Sequence, residues 1–304
     1  MAKREKEGSF KIKKKPIKKI KKEEAKEKPK EKQIEEQRGP VKEIVEKAKD
    51  AKKLKKENGW VKTGVPGFDD LLEKGIPKGV SVIVAGGPGS GKTIFGLQTL
   101  NYGAAHGEKC LYMTFEESEK RLRQHMHDFG WNPEKLEKEG KLIIKRYDPF
   151  DITRQVEALL EKAKGELLID VKPVLFPENF KPDRIVLDSL SAIAAAFIGK
   201  EETYRIYIEQ LFRLFEEVGC TTFLVTESTQ IPVKITESGV EEFLADGVII
   251  IYNIQRGNIR ERAIEVLKLR GASHQKKIVA MEINSGKGIE VYPEQEVYGV
   301  DKGG

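Results

Sequence analysis

The eight residues Gly86-Gly87-Pro88-Gly89-Ser90-Gly91-Lys92-Thr93 constrain this chain more than anything else in it. They satisfy G-x-x-x-x-G-K-S/T in full. The β-rich apolar run Val80–Ala85 stands directly before them, as a buried parallel strand feeding a phosphate loop should. Glycines let backbone N–H groups curl around phosphates without Cβ clashes. Lys92 is then placed to reach the β- and γ-phosphates of a nucleotide, and the Thr93 hydroxyl to ligate Mg²⁺. A helix opening at Lys92 aims its positive end at the same anion. Gly87, Pro88, Gly89, Ser90, Gly91, Lys92 and Thr93 are therefore the expected phosphate cradle.

The pattern around this loop alternates. It predicts helices over Lys92–His106, Ser118–Phe129, Thr153–Lys164 and Glu202–Val218. Strands are predicted over Lys109–Phe115, Leu142–Tyr147, Ile185–Leu187 and Thr221–Thr226. From Gly247 the pattern is all-β, with strands over Gly247–Tyr252, Ala263–Leu269, Lys277–Ile283 and Ile289–Tyr292. This order predicts an α/β fold, a central, mostly parallel twisted sheet flanked by helices and extended by antiparallel C-terminal strands. Asp188 closes the apolar strand Arg184-Ile185-Val186-Leu187, where a second carboxylate should hold Mg²⁺ through water. Glu116 and Glu117 follow the strand ending at Phe115, where a carboxylate can orient and polarise an attacking water. Two consecutive glutamates leave the base open between them, with Glu116 favoured.

Charge divides the chain. Of 55 Lys and Arg and 49 Asp and Glu, residues 1–60 hold 23 and 12, a net +11; the remaining 32 and 37 leave a net −5. A DNA-coating role for the acidic body is thereby disfavoured. Residues 1–40 are too poor in large apolar side chains to fold alone, and read as a basic disordered tail. Residues 3–22 carry 11 Lys/Arg against two acids. Such a run is either a solubilising arm or a nucleic-acid or protein contact made by counterion release; Phe10 alone is available there to stack on bases. Val41, Ile44, Val45, Ala48, Ala51 and Leu54 recur at helical spacing, so residues 41–59 read as an amphipathic helix or linker. The body is assigned to residues 60–304.

The longest apolar runs, such as Val248–Tyr252, fall far short of the ~20 residues that span a bilayer, and no apolar core follows the N-terminal charges as in a signal peptide. Cys110 and Cys220 have apolar neighbours and no pair spacing, and read as buried small hydrophobes in the reducing cytoplasm. The dominance of Lys and Glu with few Asn and Gln is the compositional signal of heat-adapted proteins.

Together these residues resemble the RecA-type P-loop ATPases, and within them the KaiC-like branch found widely in archaea. The likeness runs from about Val61 to Tyr292. Thr63-Gly64-Val65-Pro66-Gly67-Phe68-Asp69 is similar to the family's opening T-G-I-P-G-L-D, and Gly75-Ile76-Pro77-Lys78-Gly79 to the loop after it. Phe115-Glu116-Glu117-Ser118 resembles its catalytic glutamate pair. Most specific is Lys268-Leu269-Arg270-Gly271-Ala272-Ser273-His274, similar to the family's K-L-R-G-T-S-H and departing only at Ala272. The resemblance implies an ATP- and Mg²⁺-dependent ATPase acting as a homo-oligomeric ring, usually a hexamer, with a regulatory or signalling role. It also implies that Lys268 and Arg270 reach the γ-phosphate bound by the neighbouring subunit, with Ser273 and His274 nearby.

Departures narrow this reading. One such body is present where the cyanobacterial clock members carry two, so no oscillator is implied. Strand-exchange recombinases carry an Asn-Gln pair where this chain has Glu227-Ser228-Thr229-Gln230, and no F-x-x-A segment occurs in the N-terminal region. Two other readings stay open: a weakly hydrolysing nucleotide switch, as in archaeal motility motors, and a DNA-associated ATPase recruited by the basic tail. His125 and His127 point apart on a helix and read as surface or interface residues. The stretch Glu227–Glu242 reads equally as a pore or partner loop and as a surface excursion. The Pro-bounded insert Phe176–Phe180 has no assigned role.

Overall fold

A computed structural model describes residues 59–162, 176–228, 236 and 239–297. The basic tail and all but Gly59 of the expected amphipathic helix lie outside the described residues. A small antiparallel pair, β1 (Trp60–Val61) with β2 (Ile76–Pro77), precedes the main sheet. That sheet has nine strands: β3 (Ser81–Gly86), β4 (Cys110–Thr114), β5 (Leu142–Arg146), β6 (Arg184–Asp188), β7 (Thr221–Glu227), β8 (Gly247–Arg256), β9 (Ile259–Leu269), β10 (Val279–Asn284) and β11 (Gly288–Glu296). Their order is β11-β10-β9-β8-β3-β7-β6-β4-β5. Pairing is parallel from β8 through β5 and antiparallel from β8 through β11. The expected architecture is present.

Central strands buried on both faces read as continuous apolar runs because alternate residues enter different cores. Val82, Val84, Tyr112, Val186, Phe223 and Val225 pack under α1 (Lys92–Ala105), α2 (Glu119–Asp128) and α3 (Pro133–Lys138). Ile83, Ala85, Leu111, Met113, Ile185 and Leu187 pack under α4 (Pro149–Lys162), α5 (Leu190–Ala196) and α6 (Glu201–Val218). The short α7 (Val240–Leu244) leads into β8. Short helices have too few turns to announce themselves by period, and local caps build two of them. Asn132 Oδ1 accepts from the Lys135 N–H at 3.0 Å with Pro133 in the first turn of α3, and Ser189 Oγ accepts from the Ala192 N–H at 3.1 Å in α5.

The antiparallel extension departs from expectation in two ways. β8 and β9 form a hairpin that continues past Tyr252 and begins before Ala263; its tip is mostly polar, with Ile259 its one, exposed, apolar residue, so it gives little hydrophobic signal. Val248 pairs with Lys268 and Ile249 with Val266, so Leu267 is the extra residue of a bulge. The bulge explains why the alternation along Ala263–Leu269 breaks there, and it leaves Leu267 exposed. Phe176 packs edge-on against Phe215, centroids 6.5 Å apart, which gives the Pro-bounded insert a packing role. Among the described residues no helix is long and apolar enough to cross a membrane. Cys110 and Cys220 are free and buried.

Arg184 is wholly buried at the start of β6. Its guanidinium grips Glu108 in a bidentate pair at 2.7 and 2.9 Å and donates to the carbonyls of Lys62 and Thr99 at 3.0 and 2.9 Å. All three segments are thereby tied to one strand. Glu108→Ala strands a buried cation, and we expect a loss of about 3 kcal/mol, read as a lowered urea midpoint with unchanged slope.

Candidate active site

Parallel order sets the C-terminal ends of β3, β7, β6 and β4 side by side, and the glycine-rich loop leaves the sheet among them. A Cβ on Gly86 would meet the Ile251 carbonyl oxygen at 2.4 Å and Ser90 Oγ at 2.6 Å, so no side chain fits at the exit. Gly91 opens α1 at φ 111°, a region that favours glycine. The Lys92 ammonium donates to the carbonyls of Gly86 and Gly87 at 2.8 and 3.1 Å. Two residues that the sequence reading did not single out brace the loop from the β8–β9 hairpin. Asn253 Nδ2 donates to the Pro88 carbonyl and Arg262 Nε to that of Gly89, both at 3.3 Å. Asn253 had a visible signal, a polar residue inside the apolar run Val248–Ile254.

Thr93 and Asp188, 95 residues apart, meet here: Thr93 Oγ1 donates to Asp188 Oδ2 at 2.9 Å. Tyr112 on β4 donates to the same oxygen at 2.6 Å. Ser189 is buried and donates to Glu116 Oε1 at 2.5 Å. Glu117 turns the other way, its carboxylate held by Arg121 Nε at 3.2 Å and His125 Nε2 at 3.1 Å. The two glutamates are thus separated, with Glu116 beside Asp188 and Glu117 engaged on α2. His127 pairs with Glu134 at 3.0 Å, away from His125's partner.

Burial depresses the pKa of Lys92, opposed by the negative charges of Glu227, Asp188 and Glu116. Burial raises the carboxyl of Asp188 above the usual range, opposed by the hydrogen bonds from Tyr112 and Thr93. The Tyr112 phenol is pushed well up by burial and by Asp188, so it stays a donor. The buried Ser90 hydroxyl has no partner among the described residues. With the Lys92 ammonium and the unpaired N–H groups of the first helical turn, it forms a donor set that fits a polyphosphate. The Thr93 hydroxyl and Asp188 carboxylate are hard oxygen ligands that fit Mg²⁺. Among the described residues no cluster of three or more His, Cys, Asp or Glu could hold a metal. Mg²⁺ needs none, since it keeps waters and binds substrate phosphates.

Lys268 and Arg270 are elsewhere. Register places Gly86 level with Ile251 and Ile264, whereas Leu269 is level with Gly247 and Val82. Four residues of parallel strand separate the two levels, roughly 13 Å. Lys268 Nζ donates to the carbonyls of Glu242 and Ala245 at 2.9 and 2.8 Å, and Arg270 Nη2 to that of Phe243 at 3.1 Å. Partial burial and the charge of Arg270 lower the pKa of Lys268. The Ser273 carbonyl accepts from the Glu73 N–H at 3.2 Å, and His274 bridges Leu72. Both ring nitrogens of His274 are buried and unpartnered among the described residues. The motif Thr63–Asp69 is a turn: Asp69 accepts from Thr63 N and Oγ1 at 2.8 Å and from Gly64 N at 3.0 Å.

Sheet order, loop and strand-end acid define a RecA-like P-loop fold. The chain belongs to the KaiC family, for residues 61–296 match the family described as "ATPase: KaiC". It is 36% identical over 233 residues to the circadian clock protein KaiC3 of Synechocystis sp., covering 77% of this chain and 45% of that protein. The circadian clock oscillator protein KaiC of Thermosynechococcus vestitus is 33% identical over 244 residues, with 77% and 44% covered. The chain therefore matches less than half the length of these curated relatives. The crystal structure of a KaiC-like protein from Pyrococcus horikoshii OT3 aligns with a TM-score of 0.62 at 34% identity, covering 77% of this chain and 99% of that one.

The raised pKa of Asp188 adds stability in acid that is lost as pH climbs through the folded value. At neutral pH the buried carboxylate is a net cost. Without nucleotide or metal, Asp188→Asn is therefore expected to raise the melting temperature at neutral pH, by about 2–4 °C per kcal/mol. The two melting curves should converge as the pH falls.

Proposed function

We propose that residues 60–304 form a Mg²⁺-dependent ATPase that hydrolyses ATP as a cytoplasmic homo-oligomeric ring, with a hexamer as the expected size and a regulatory or signalling output. The observation that carries this reading is the division of the chemistry between two ends of one sheet. The loop, Thr93, Asp188 and Glu116 share one end, while Lys268 and Arg270 stand roughly 13 Å away along the strands. They stand away from their own loop, which supports the role that the family resemblance implies for them, action on the nucleotide of a second copy. The lysine-rich residues 1–40 supply charge for a nucleic-acid or protein partner.

In this reading Lys92 and the loop N–H groups hold the phosphates, while Thr93 and, through water, Asp188 hold Mg²⁺. Mg²⁺ held there would supply charge neutralisation to the phosphates. Glu116 orients the attacking water and accepts its proton as the new P–O bond forms and ADP leaves. Lys268 and Arg270 of the partner subunit offset the charge that develops. Ser189 holds the Glu116 carboxylate toward this edge.

Glu116→Gln is expected to lower kcat by about 10²-fold or more while nucleotide Kd is kept, and Glu117→Gln to cost far less. The reverse ranking would move the base to Glu117. Arg270→Ala and Glu116→Gln proteins, each inactive alone, should recover turnover when mixed, because an intact Glu116 then meets an intact Arg270 from a neighbour. No recovery in rings shown to be mixed would overturn action between subunits.

A further inference from the structure

Tyr112 lies in the middle of β4 and is fully buried. Phenylalanine would fill the same space in an apolar core, and a buried hydroxyl costs free energy unless it is hydrogen-bonded. This one is, at 2.6 Å to a carboxylate, in the range of a charge-assisted O–H···O⁻ bond. Its ring is also clamped. α1 comes so close to the sheet that a Cβ on Gly96 would stand 2.9 Å from Val186 Cγ1 and 3.5 Å from Tyr112 Cε2. The hydroxyl thus has little freedom to move away from Asp188. Both donors, Tyr112 and Thr93, fall on Oδ2, and Oδ1 accepts from no side chain among the described residues.

We propose that Tyr112 is a positioning residue for the cation site: it pins Asp188 through Oδ2 and leaves Oδ1 for the water shell of a bound Mg²⁺. Thr93 spends its proton on the same Oδ2, which keeps its lone pairs for the ion. The inference rests on the reading of Thr93 and Asp188 as the Mg²⁺ site. Residues that hold a metal ligand in place from behind typically govern affinity by about 10–100-fold when removed.

The test is binding of a fluorescent ADP analogue to the full chain, across graded Mg²⁺ and in EDTA. For Tyr112→Phe the Mg²⁺ concentration giving half the effect should rise by about 10–100-fold, while affinity in EDTA stays near the parent value. A Mg²⁺ curve superimposed on the parent's overturns the inference. So does an equal loss in EDTA and in Mg²⁺, which marks a packing role. Thr93→Ala and Asp188→Asn run beside it. If these shift the Mg²⁺ curve and Tyr112→Phe does not, the positioning role alone fails; if none does, the cation-site reading fails as well.

Discussion

Parallel pairing of β3 with β7 and β8 is the constraint on which the rest depends. Because β3, β7, β6 and β4 run the same way, whatever follows each strand emerges at one edge. Thr93, Glu116, Asp188 and Glu227 are far apart in sequence, and this pairing collects them. The geometry is bought at Gly86, where a β8 carbonyl closes off any side chain. It also forces ionisable groups into a partly dry edge, where each must be paired or shift its pKa. Lys92 and Asp188 do both.

The antiparallel strands brace the loop through Arg262 and also serve the opposite end. Reversal of the chain between β8 and β9 carries Lys268 and Arg270 away from the loop. The bulge at Leu267 then resets which face each following residue takes. Backbone carbonyls at the end of α7 hold both cations. Carbonyls at a helix C-terminus carry partial negative charge, so this is a natural resting place for them. Phe243, largely exposed, and Leu267, half exposed, lie beside the pair in sequence or by hydrogen bond and give that end an apolar fringe.

Much of this was legible. The loop with its preceding strand, the Asp188 strand end and the order of helices and strands were readable because each depends on local chemistry or on continuous burial. What was not readable depends on register. Tyr112 looks like any aromatic in an apolar strand until Thr114 is set level with Asp188, which puts Tyr112 on the same face, two residues back. Glu116 and Glu117 are the same residue type in adjacent positions, and only Ser189 on one side and Arg121 with His125 on the other tell them apart. The hairpin tip from Gln255 to Arg262 reads as a loop because its strands extend past the core, where pairing continues with Ile259, itself exposed, as its one apolar side chain. The T-G-V-P-G-F-D opening was legible as a motif, and its Asp69 closes a turn on Thr63 and Gly64.

Charge at the loop's edge carries its own argument about the ligand. Three carboxylates, Glu227, Asp188 and Glu116, act on the single ammonium of Lys92. The first turn of α1 adds only about half an elementary positive charge. A polyphosphate entering alone would bring further negative charge to an edge that already has an excess of it, in surroundings where partial burial weakens screening. A divalent cation held by Thr93 and Asp188 would reverse the balance, because Asp188 would then be a ligand and no longer a repelling group. On the function proposed above, the acidic excess is thus a selection rule: it favours the metal-bound nucleotide over the free one.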